Sequence, residues 1–273
     1  MSGSSVIHEH YRALLDRWPV PSEQLTVPTR LGETFVVASG PAGAPPLVLL
    51  HGSGSTSAMW LGDISSYVDN HRVYAVDIPG EPGLSAPARP TLASGAYADW
   101  LGDVLDALGI QRVRLLGLSL GGWLAADFAT RDPDRVERLV LLSPSGIGRQ
   151  KLGIALLTLL LVPLGRYGRR LSLRLVLGTT PPRVMADFVL VIHKHFRARR
   201  EIVPRLGDEA LAALTMPVLA IVGGRDALLD SAGTRDRLSR HAPGAEVIFL
   251  PGAGHLLPSQ SGRIAEFLGG FRK

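Results

Sequence analysis

The feature that most constrains the fold of this chain is the hexapeptide GLSLGG at residues 117–122. It lies between an apolar run at residues 112–116, which predicts a buried strand, and residues 123–129, which have helical composition. A serine with glycine two positions before and after it, between strand and helix, is typical of a turn that presents a nucleophile. Side chains at the glycine positions would collide with the neighbouring chain. Ser119 is therefore predicted to stand above a sheet at a helix N-terminus, which favours negative charge.

Strands and helices alternate along most of the chain, which is typical of a parallel sheet covered by helices on both faces. The alternation stops after the sixth predicted strand and resumes near residue 218. We therefore expect an α/β fold whose core domain comprises residues 1–146 and 207–273, with a helical cap or lid inserted at residues 147–206. The predicted strands are residues 25–29, 33–39, 47–50, 73–77, 112–116, 137–142, 218–222 and 247–250. The predicted helices outside the cap are residues 6–18, one starting near 57, 96–108, the one from 123, 230–241 and 259–271.

Composition excludes several classes of protein. The 273 residues are 46% hydrophobic, enough for a sizeable core, and include no cysteine. Disulfides, cysteine-based metal sites and a thiol nucleophile are thereby excluded. The N-terminus lacks the pattern of a secretory signal, and the longest apolar run, residues 152–164, is too short to span a bilayer. We therefore expect a cytoplasmic protein. We also expect no metal or nucleotide cofactor, because the sequence has neither a cluster of metal-ligating residues nor a phosphate-binding glycine loop.

A serine nucleophile needs a base, and the base needs an acid that orients it. In an open parallel sheet these groups follow the C-terminal ends of strands. His255 follows the last predicted strand and Asp226 follows the strand before it. The order Ser119, Asp226, His255 is the one expected for a catalytic triad on such a sheet. Asp226 is the preferred acid because it lies directly beyond its strand, and Asp230 is the alternative.

Stabilisation of an oxyanion needs two backbone N–H donors, one from the residue after the nucleophile and one from the loop after an earlier strand. Leu120 is the first candidate donor. Ser53 is our choice for the second, with Gly54 as the alternative, because the register of the loop stays open at this point. Trp60 fits either the pocket or the core. The candidate substrate-binding residues are Gly52, Gly54, Trp60 and Leu256.

Positive charge is concentrated in the segment predicted as the cap. Residues 147–206 hold 12 of the 29 Lys and Arg residues and 2 of the 24 Asp and Glu residues. Because aromatic residues are not interleaved with the basic ones, we expect no nucleic-acid partner. Apolar residues 154–162 followed by cations would suit a lid over a lipophilic substrate, and a weak contact with an anionic membrane surface is a further hypothesis. The basic clusters are Arg166, Arg169 and Arg170, and Arg197, Arg199 and Arg200.

Five motifs together resemble those of the α/β-hydrolase superfamily, in its serine-nucleophile, capped, esterase-like branch. The motifs are HGSG at residues 51–54, DIPGEPGLS at 77–85, GLSLGG at 117–122, GRD at 224–226 and GH at 254–255. The resemblance implies an eight-stranded, mostly parallel sheet flanked by helices, a helical cap after strand six, and hydrolysis through a serine triad without cofactor. Glu81 and Pro82 make the second motif one residue longer than the family pattern D-x-x-G-x-G-x-S, and we expect this to alter loop shape and not the triad.

We therefore expect a serine hydrolase that cleaves an ester-type bond (carboxylester, thioester or lactone) of a small lipophilic substrate through an acyl-enzyme. The alternatives are a C–C bond hydrolase of diketone ring-cleavage products, a cofactor-free haloperoxidase-like enzyme and, outside enzymes, a binding protein on a hydrolase scaffold. Leu256 and Leu257 argue against C–C hydrolysis, because such enzymes usually carry an aromatic residue after the histidine. The oligomeric state stays open.

Overall fold

One sheet organises the part of the chain that the computed structural model describes, which is residues 2–151, 153, 161–179 and 183–269. Its strands are β1 (Ser22–Thr29), β2 (Gly32–Ser39), β3 (Pro46–Leu50), β4 (Arg72–Val76), β5 (Val113–Leu118), β6 (Val136–Leu142), β7 (Val218–Gly223) and β8 (Ala245–Leu250). They pair in the order β1-β2-β4-β3-β5-β6-β7-β8. The β1–β2 and β2–β4 pairs are antiparallel, and the other five pairs are parallel. The prediction of an eight-stranded, mostly parallel sheet is confirmed.

Helices cover both faces of this sheet. The α-helices in the described part of the chain are α1 (Gly3–Leu15), α2 (Ala96–Ala107), α3 (Leu120–Arg131), α4 (Gly165–Leu177), α5 (Arg183–His195), α6 (Asp208–Ala212), α7 (Ser231–His241) and α8 (Ser261–Phe267), and all of them except α4 pack on the sheet. One hydrophobic cluster joins the sheet to α2, α3, α6 and α7. A second cluster joins the opposite face to α1, α5 and α8. Burial on both faces explains why the central strands are apolar runs without alternation, such as residues 47–50 in β3.

Parallel pairing brings the loops that carry the candidate site to one edge of the sheet. Leu50 at the end of β3 pairs with Gly117 of β5, and Leu118 pairs with Leu142 at the end of β6. The ends of β7 and β8 continue the same edge. Consequently the loop after β3, the turn at Ser119 and the loops after β7 and β8 lie side by side.

Several helix boundaries differ from the predicted ones. The first helix begins earlier than predicted, because the Ser2 hydroxyl accepts the Ser5 N–H at 3.2 Å and caps the N-terminus, and it ends at Leu15. The helix expected near Ser57 is a short 3₁₀ helix, Ser57–Gly62. The helix expected at residues 259–271 ends at Phe267, and residues 270–273 lie outside the described part.

The chain leaves the sheet after β6, as expected for a cap. Within residues 147–206, α4 and α5 are helical, and α5 packs on α1 with the rings of Tyr11 and Phe188 stacked at a centroid distance of 6.1 Å. Most of the apolar run proposed as a lid, residues 154–160, falls outside the described residues. The cap boundaries remain a prediction. Among the described helices, none has the length and apolar character needed to cross a membrane.

Candidate active site

Ser119 occupies the sharp turn between β5 and α3. Its backbone has φ 53° and ψ −111°, a combination that L-residues rarely adopt. A side chain at Gly117 would collide with the backbone of Gly121, and a side chain at Gly121 would collide with the backbone of Leu50. Glycine at both positions therefore lets β5, α3 and the end of β3 approach closely enough to present Ser119, which is half-buried, at the helix N-terminus.

His255 and Asp226 form a buried pair at the same sheet edge. The His255 Nδ1 and Asp226 Oδ2 atoms are 2.8 Å apart, and the residues are 6% and 2% exposed. With Nδ1–H donating to the carboxylate, the other ring nitrogen, Nε2, has the acceptor lone pair that a general base needs. Among the hydrogen bonds of the described residues, none uses this Nε2.

Further hydrogen bonds fix the positions of both members of the pair. The second carboxylate oxygen of Asp226 accepts the N–H groups of Leu228 at 2.8 Å and Leu229 at 3.0 Å. The Ser143 hydroxyl donates to the His255 carbonyl at 3.0 Å. Asp230, the alternative acid, instead caps α7 by accepting the N–H of Gly233 at 3.0 Å. The structure thus brings Asp226 to His255 and places Asp230 elsewhere.

The loop after β3 is shaped by a buried histidine and a buried carboxylate. His51 Nε2 accepts the Ile78 N–H at 3.0 Å, and its Nδ1 lies 2.8 Å from the Gly52 carbonyl, so His51 braces this loop against the next one. The Gly54 N–H donates to the Glu81 carboxylate at 2.6 Å. Because Gly54 already has this partner, its N–H is a poor candidate for an oxyanion donor.

The N–H groups of Ser53 and Leu120 are in a different situation. Within the described part of the chain, neither group donates a hydrogen bond to the protein. Leu120 is the first residue of α3, where backbone N–H groups lack a partner within the helix. Both residues line one cavity with Ser119, so the arrangement can place two N–H donors beside a reacting carbonyl.

That cavity has a volume of about 340 Å³, and its wall includes four of the residues predicted from the sequence, Ser53, Ser119, Leu120 and His255, together with several that were not predicted. Its described lining residues are Ser53, Ser119, Leu120, Ser145, Gln150, Lys151, Arg199, Glu201, Val203, Leu228, Leu229 and His255. Apolar side chains therefore share the wall with ionic groups from the segment that was predicted as the cap.

Two predicted substrate-binding residues lie elsewhere. Trp60 is 2% exposed and packs in the core between the sheet and α1, because the 3₁₀ helix that carries it turns its side chain inward. Leu256 lines a different cavity beside Gly178 and Thr179, where its N–H donates to the Leu177 carbonyl at 2.9 Å. The other two, Gly52 and Gly54, belong to the loop that carries Ser53, and a Cβ on Gly52 would lie 3.6 Å from that of Ser119.

The residues that sequence reasoning missed are polar and come from distant segments. Lys151 donates to the Asp226 carbonyl at 2.8 Å. Arg199 is only 10% exposed and donates to the Tyr97 hydroxyl at 2.6 Å and the Pro90 carbonyl at 2.9 Å, so the basic cluster at residues 197–200 is not simply a solvated surface. The sequence identified Arg199 only as a member of a basic cluster, and no local pattern linked Arg199 or Lys151 to Ser119.

Comparisons with known proteins found relatives that match most of this chain. A sequence model described as the alpha/beta hydrolase family matches residues 47–267. Carboxylesterase YbfK of Bacillus subtilis is 32% identical over 92% of this chain and 87% of its own length. An uncharacterised carboxylesterase of the same organism, nap, is 34% identical over 92% of this chain and 86% of its own length.

Solved structures give the same result. The crystal structure of naproxen esterase (carboxylesterase NP) from Bacillus subtilis matches with a TM-score of 0.86 and 30% identity, over 98% of each chain. That of carboxylesterase CesB (YbfK) matches with a TM-score of 0.85 and 31% identity, over 99% of each chain. Because both matches cover at least 98% of this chain, they are not confined to the residues of the sheet.

Proposed function

Because the chain belongs to the alpha/beta hydrolase family and is an esterase-type hydrolase, we propose that it cleaves carboxylic esters with Ser119 as nucleophile, His255 as general base and Asp226 as the acid that orients His255. The observation that carries this proposal is the 2.8 Å contact between His255 and Asp226 beside a cavity that Ser119 and His255 both line. The carboxylesterase names of the relatives support an ester as the substrate.

In the proposed reaction, His255 Nε2 takes the proton of Ser119 as the hydroxyl oxygen attacks the ester carbonyl. Asp226 accepts the Nδ1–H bond and stabilises the imidazolium that forms. His255 then returns the proton to the departing alcohol, which leaves an acyl group on Ser119. Water that loses a proton to His255 hydrolyses this acyl-enzyme, and the proton passes back to Ser119 as the carboxylic acid is released.

We assign the oxyanion site to the N–H groups of Ser53 and Leu120. Each intermediate places negative charge on the former carbonyl oxygen, and two fixed donors stabilise that charge more than the neutral ester. The bond from Gly54 to Glu81 supports Ser53 over Gly54 as the donor from this loop.

The volume and lining of the cavity favour an ester substrate with a small, largely apolar acyl group. Its volume of about 340 Å³ lies at the lower end of the range of about 300–1,000 Å³ for small-molecule sites. The aliphatic wall formed by Leu120, Val203, Leu228 and Leu229 would bury the acyl chain. We therefore expect short acyl esters to be turned over faster than long ones.

Hydrolysis of p-nitrophenyl esters from acetate to palmitate tests the proposal. We expect turnover with a short-chain optimum, and a loss of about 10³-fold or more in Ser119→Ala. Ser145→Ala, which removes another hydroxyl from the same cavity, should cost far less. A fluorophosphonate probe should label the parent protein and not Ser119→Ala. Absence of both turnover and labelling would contradict the serine mechanism.

The exposed side chains of α4 support a second proposal, a contact with an anionic lipid surface. Leu171 and Leu175 of α4, and Leu164 directly before it, are between 37% and 57% exposed, and the spacing of the two helical leucines places them on one side of the helix. Arg170 and Arg174 are exposed on the same helix. Aliphatic side chains next to arginines are typical of helices that lie in the headgroup region of an anionic membrane.

Sedimentation with vesicles tests this contact. We expect the protein to bind vesicles that contain phosphatidylglycerol more than pure phosphatidylcholine vesicles, and a Leu171→Ser/Leu175→Ser double variant to lose this binding. Ile202→Ser, which removes an exposed aliphatic side chain outside α4, is the matched control. Equal sedimentation with both vesicles would refute the proposal. The proposal would also be refuted if the parent protein were a dimer and the double variant a monomer, because α4 would then contact a second copy of the chain.

A further inference from the structure

Glu81 is a buried carboxylate that the triad mechanism leaves without a role. It lies in the loop after β4 and is 6% exposed. Burial raises the pKa of its carboxyl group above the usual range for glutamate, and the hydrogen bond from Gly54 acts in the opposite direction. A buried carboxylate is costly for a fold unless donors and positive charges compensate it. Its surroundings therefore indicate what keeps it there.

The nearest partners of Glu81 belong to the loop that carries the proposed oxyanion donor. Its Oε2 atom accepts the Gly54 N–H at 2.6 Å, and the Ser53 hydroxyl donates to the same oxygen at 3.4 Å. Gly54 has φ +66°, so the chain bends at this residue. A short bond from an N–H group to a carboxylate is stronger than one between neutral groups. Glu81 thus holds the two residues on either side of the Ser53–Gly54 peptide.

Positively charged side chains of the described residues lie near Glu81 but form no ion pair with it. Arg89, Arg199 and His51 all favour its charged form, yet no described cation lies within 4.0 Å of its carboxylate. Arg89 Nε donates to the Gly80 carbonyl at 2.6 Å, and Arg199 lines the cavity of Ser119. The loop donors are therefore the direct partners of Glu81, and the arginines offset its charge at longer range.

We propose that Glu81 is a positioning residue of the oxyanion site, which engages the Gly54 N–H and the Ser53 hydroxyl so that the Ser53 N–H remains available to the substrate. The assignment rests on the proposed function, since it concerns the same oxyanion. Glu81 does not touch the ester. It acts through Gly54: by holding the Gly54 N–H, Glu81 keeps the loop in the conformation in which the Ser53 N–H faces the cavity.

Kinetics of variants in the full chain test the catalytic consequence. In Glu81→Ala the loop loses its acceptor, and we expect kcat for p-nitrophenyl butyrate to fall by about 10- to 100-fold with KM within about threefold, because the interaction lost forms in the transition state. Glu81→Gln keeps an oxygen that can accept the Gly54 N–H, and should retain kcat within about fivefold. Glu246→Gln, an exposed carboxylate on β8, is the matched control.

The contact itself has a readout that needs no activity. In an amide proton–nitrogen NMR spectrum, the Gly54 resonance should shift with pH in the parent protein as Glu81 titrates, and should not shift this way in Glu81→Gln. If the Gly54 resonance does not shift with pH in the parent protein, or if a folded Glu81→Ala keeps the parent kcat, the proposal is overturned. Should Glu81→Ala not fold, Glu81→Asp, which is one methylene shorter, takes its place.

These two readouts separate the inference from the proposed function. A parent protein that shows neither ester turnover nor phosphonate labelling contradicts the serine mechanism and, with it, the catalytic part of this inference. A parent protein that turns over esters while Glu81→Ala matches it contradicts the role of Glu81 alone. A lower kcat in Glu81→Ala, a kcat near the parent value in Glu81→Gln, and a pH-dependent shift of the Gly54 resonance in the parent protein would together support the assignment.

Discussion

His71 shows how a single buried side chain can make the fold sensitive to pH. It is 1% exposed; its Nε2 lies 2.9 Å from Arg114 Nη1 and its Nδ1 lies 3.1 Å from the Tyr67 carbonyl. Burial is the largest cause that lowers the pKa of His71 from its ordinary value of 6.5, and the positive charge of Arg114 adds to it, whereas hydrogen bonds to the carbonyls of Tyr67 and Leu268 act in the opposite direction. The ring is therefore neutral at neutral pH, with Nε2 accepting from the guanidinium.

The sign of the resulting pH dependence follows from linkage. Below the ordinary histidine pKa of about 6.5, the unfolded chain binds a proton that the folded state resists, so the free energy of unfolding falls as pH decreases toward the folded pKa. We expect His71→Gln to reduce the fall in urea midpoint between pH 7 and pH 5. His10→Gln, on the exposed face of α1, should leave the slope unchanged. An unaltered slope in His71→Gln would contradict this prediction.

At the scale of elements, the turn between β5 and α3 depends on the absence of a side chain at Gly121. A Cβ there would overlap the backbone of Leu50 and His51, which belongs to a neighbouring strand and loop and cannot rotate away. Relief requires α3 to move from β3, which would also displace Ser119. The position of Ser119 and the close packing of α3 against β3 therefore both depend on glycine at position 121.

We expect Gly121→Ala to lower the free energy of unfolding by about 3 kcal/mol or more, since overpacking against backbone costs at least as much as overpacking in a core. Gly62→Ala is the matched control, because a Cβ at Gly62 meets no atom within 4 Å. Urea denaturation of the three proteins checks the prediction. Equal midpoints for Gly121→Ala and Gly62→Ala would show that the turn can widen at little cost.

At the scale of the whole molecule, α1 lies between the sheet and α5, a helix of the segment predicted as the cap. The Tyr11 hydroxyl donates to the buried Asp77 carboxylate at 2.9 Å, and burial together with Asp77 raises the pKa of Tyr11 well above its ordinary value. The Tyr11 ring stacks on Phe188 of α5, and Ile192 of the same helix is also buried. One helix thus contacts the loop after β4 on one side and α5 on the other.

Phe188→Ala should therefore destabilise the molecule by about 3–5 kcal/mol, the usual cost of removing a buried phenylalanine ring. Val184→Ala, at an exposed position of the same helix, should change stability by less than about 0.5 kcal/mol. Equilibrium denaturation followed by circular dichroism measures both values. If Phe188→Ala unfolds at the parent midpoint, the contact between α1 and α5 contributes little.

Some residues of the candidate site could be predicted from the sequence, and others could not. Asp226 and His255 were identifiable because each follows an apolar strand, and parallel strands end at a common edge. Glu81 was seen only as an extra loop residue, because its partner Gly54 lies 27 positions away and no local pattern links them. Arg199 was interpreted as part of a charged cluster, whereas its side chain is buried against Tyr97.

The sequence by itself determined the class of sheet, the turn at Ser119 and the order of the three candidate catalytic residues. These follow from strand hydrophobicity and from glycine spacing, which are short-range properties of a chain. Only the tertiary structure decided that Gly54 donates to Glu81, that Trp60 belongs to the core and that Lys151 and Arg199 line the cavity. Those outcomes depend on contacts between segments far apart in sequence, whose geometry is set when helices and loops pack against the sheet.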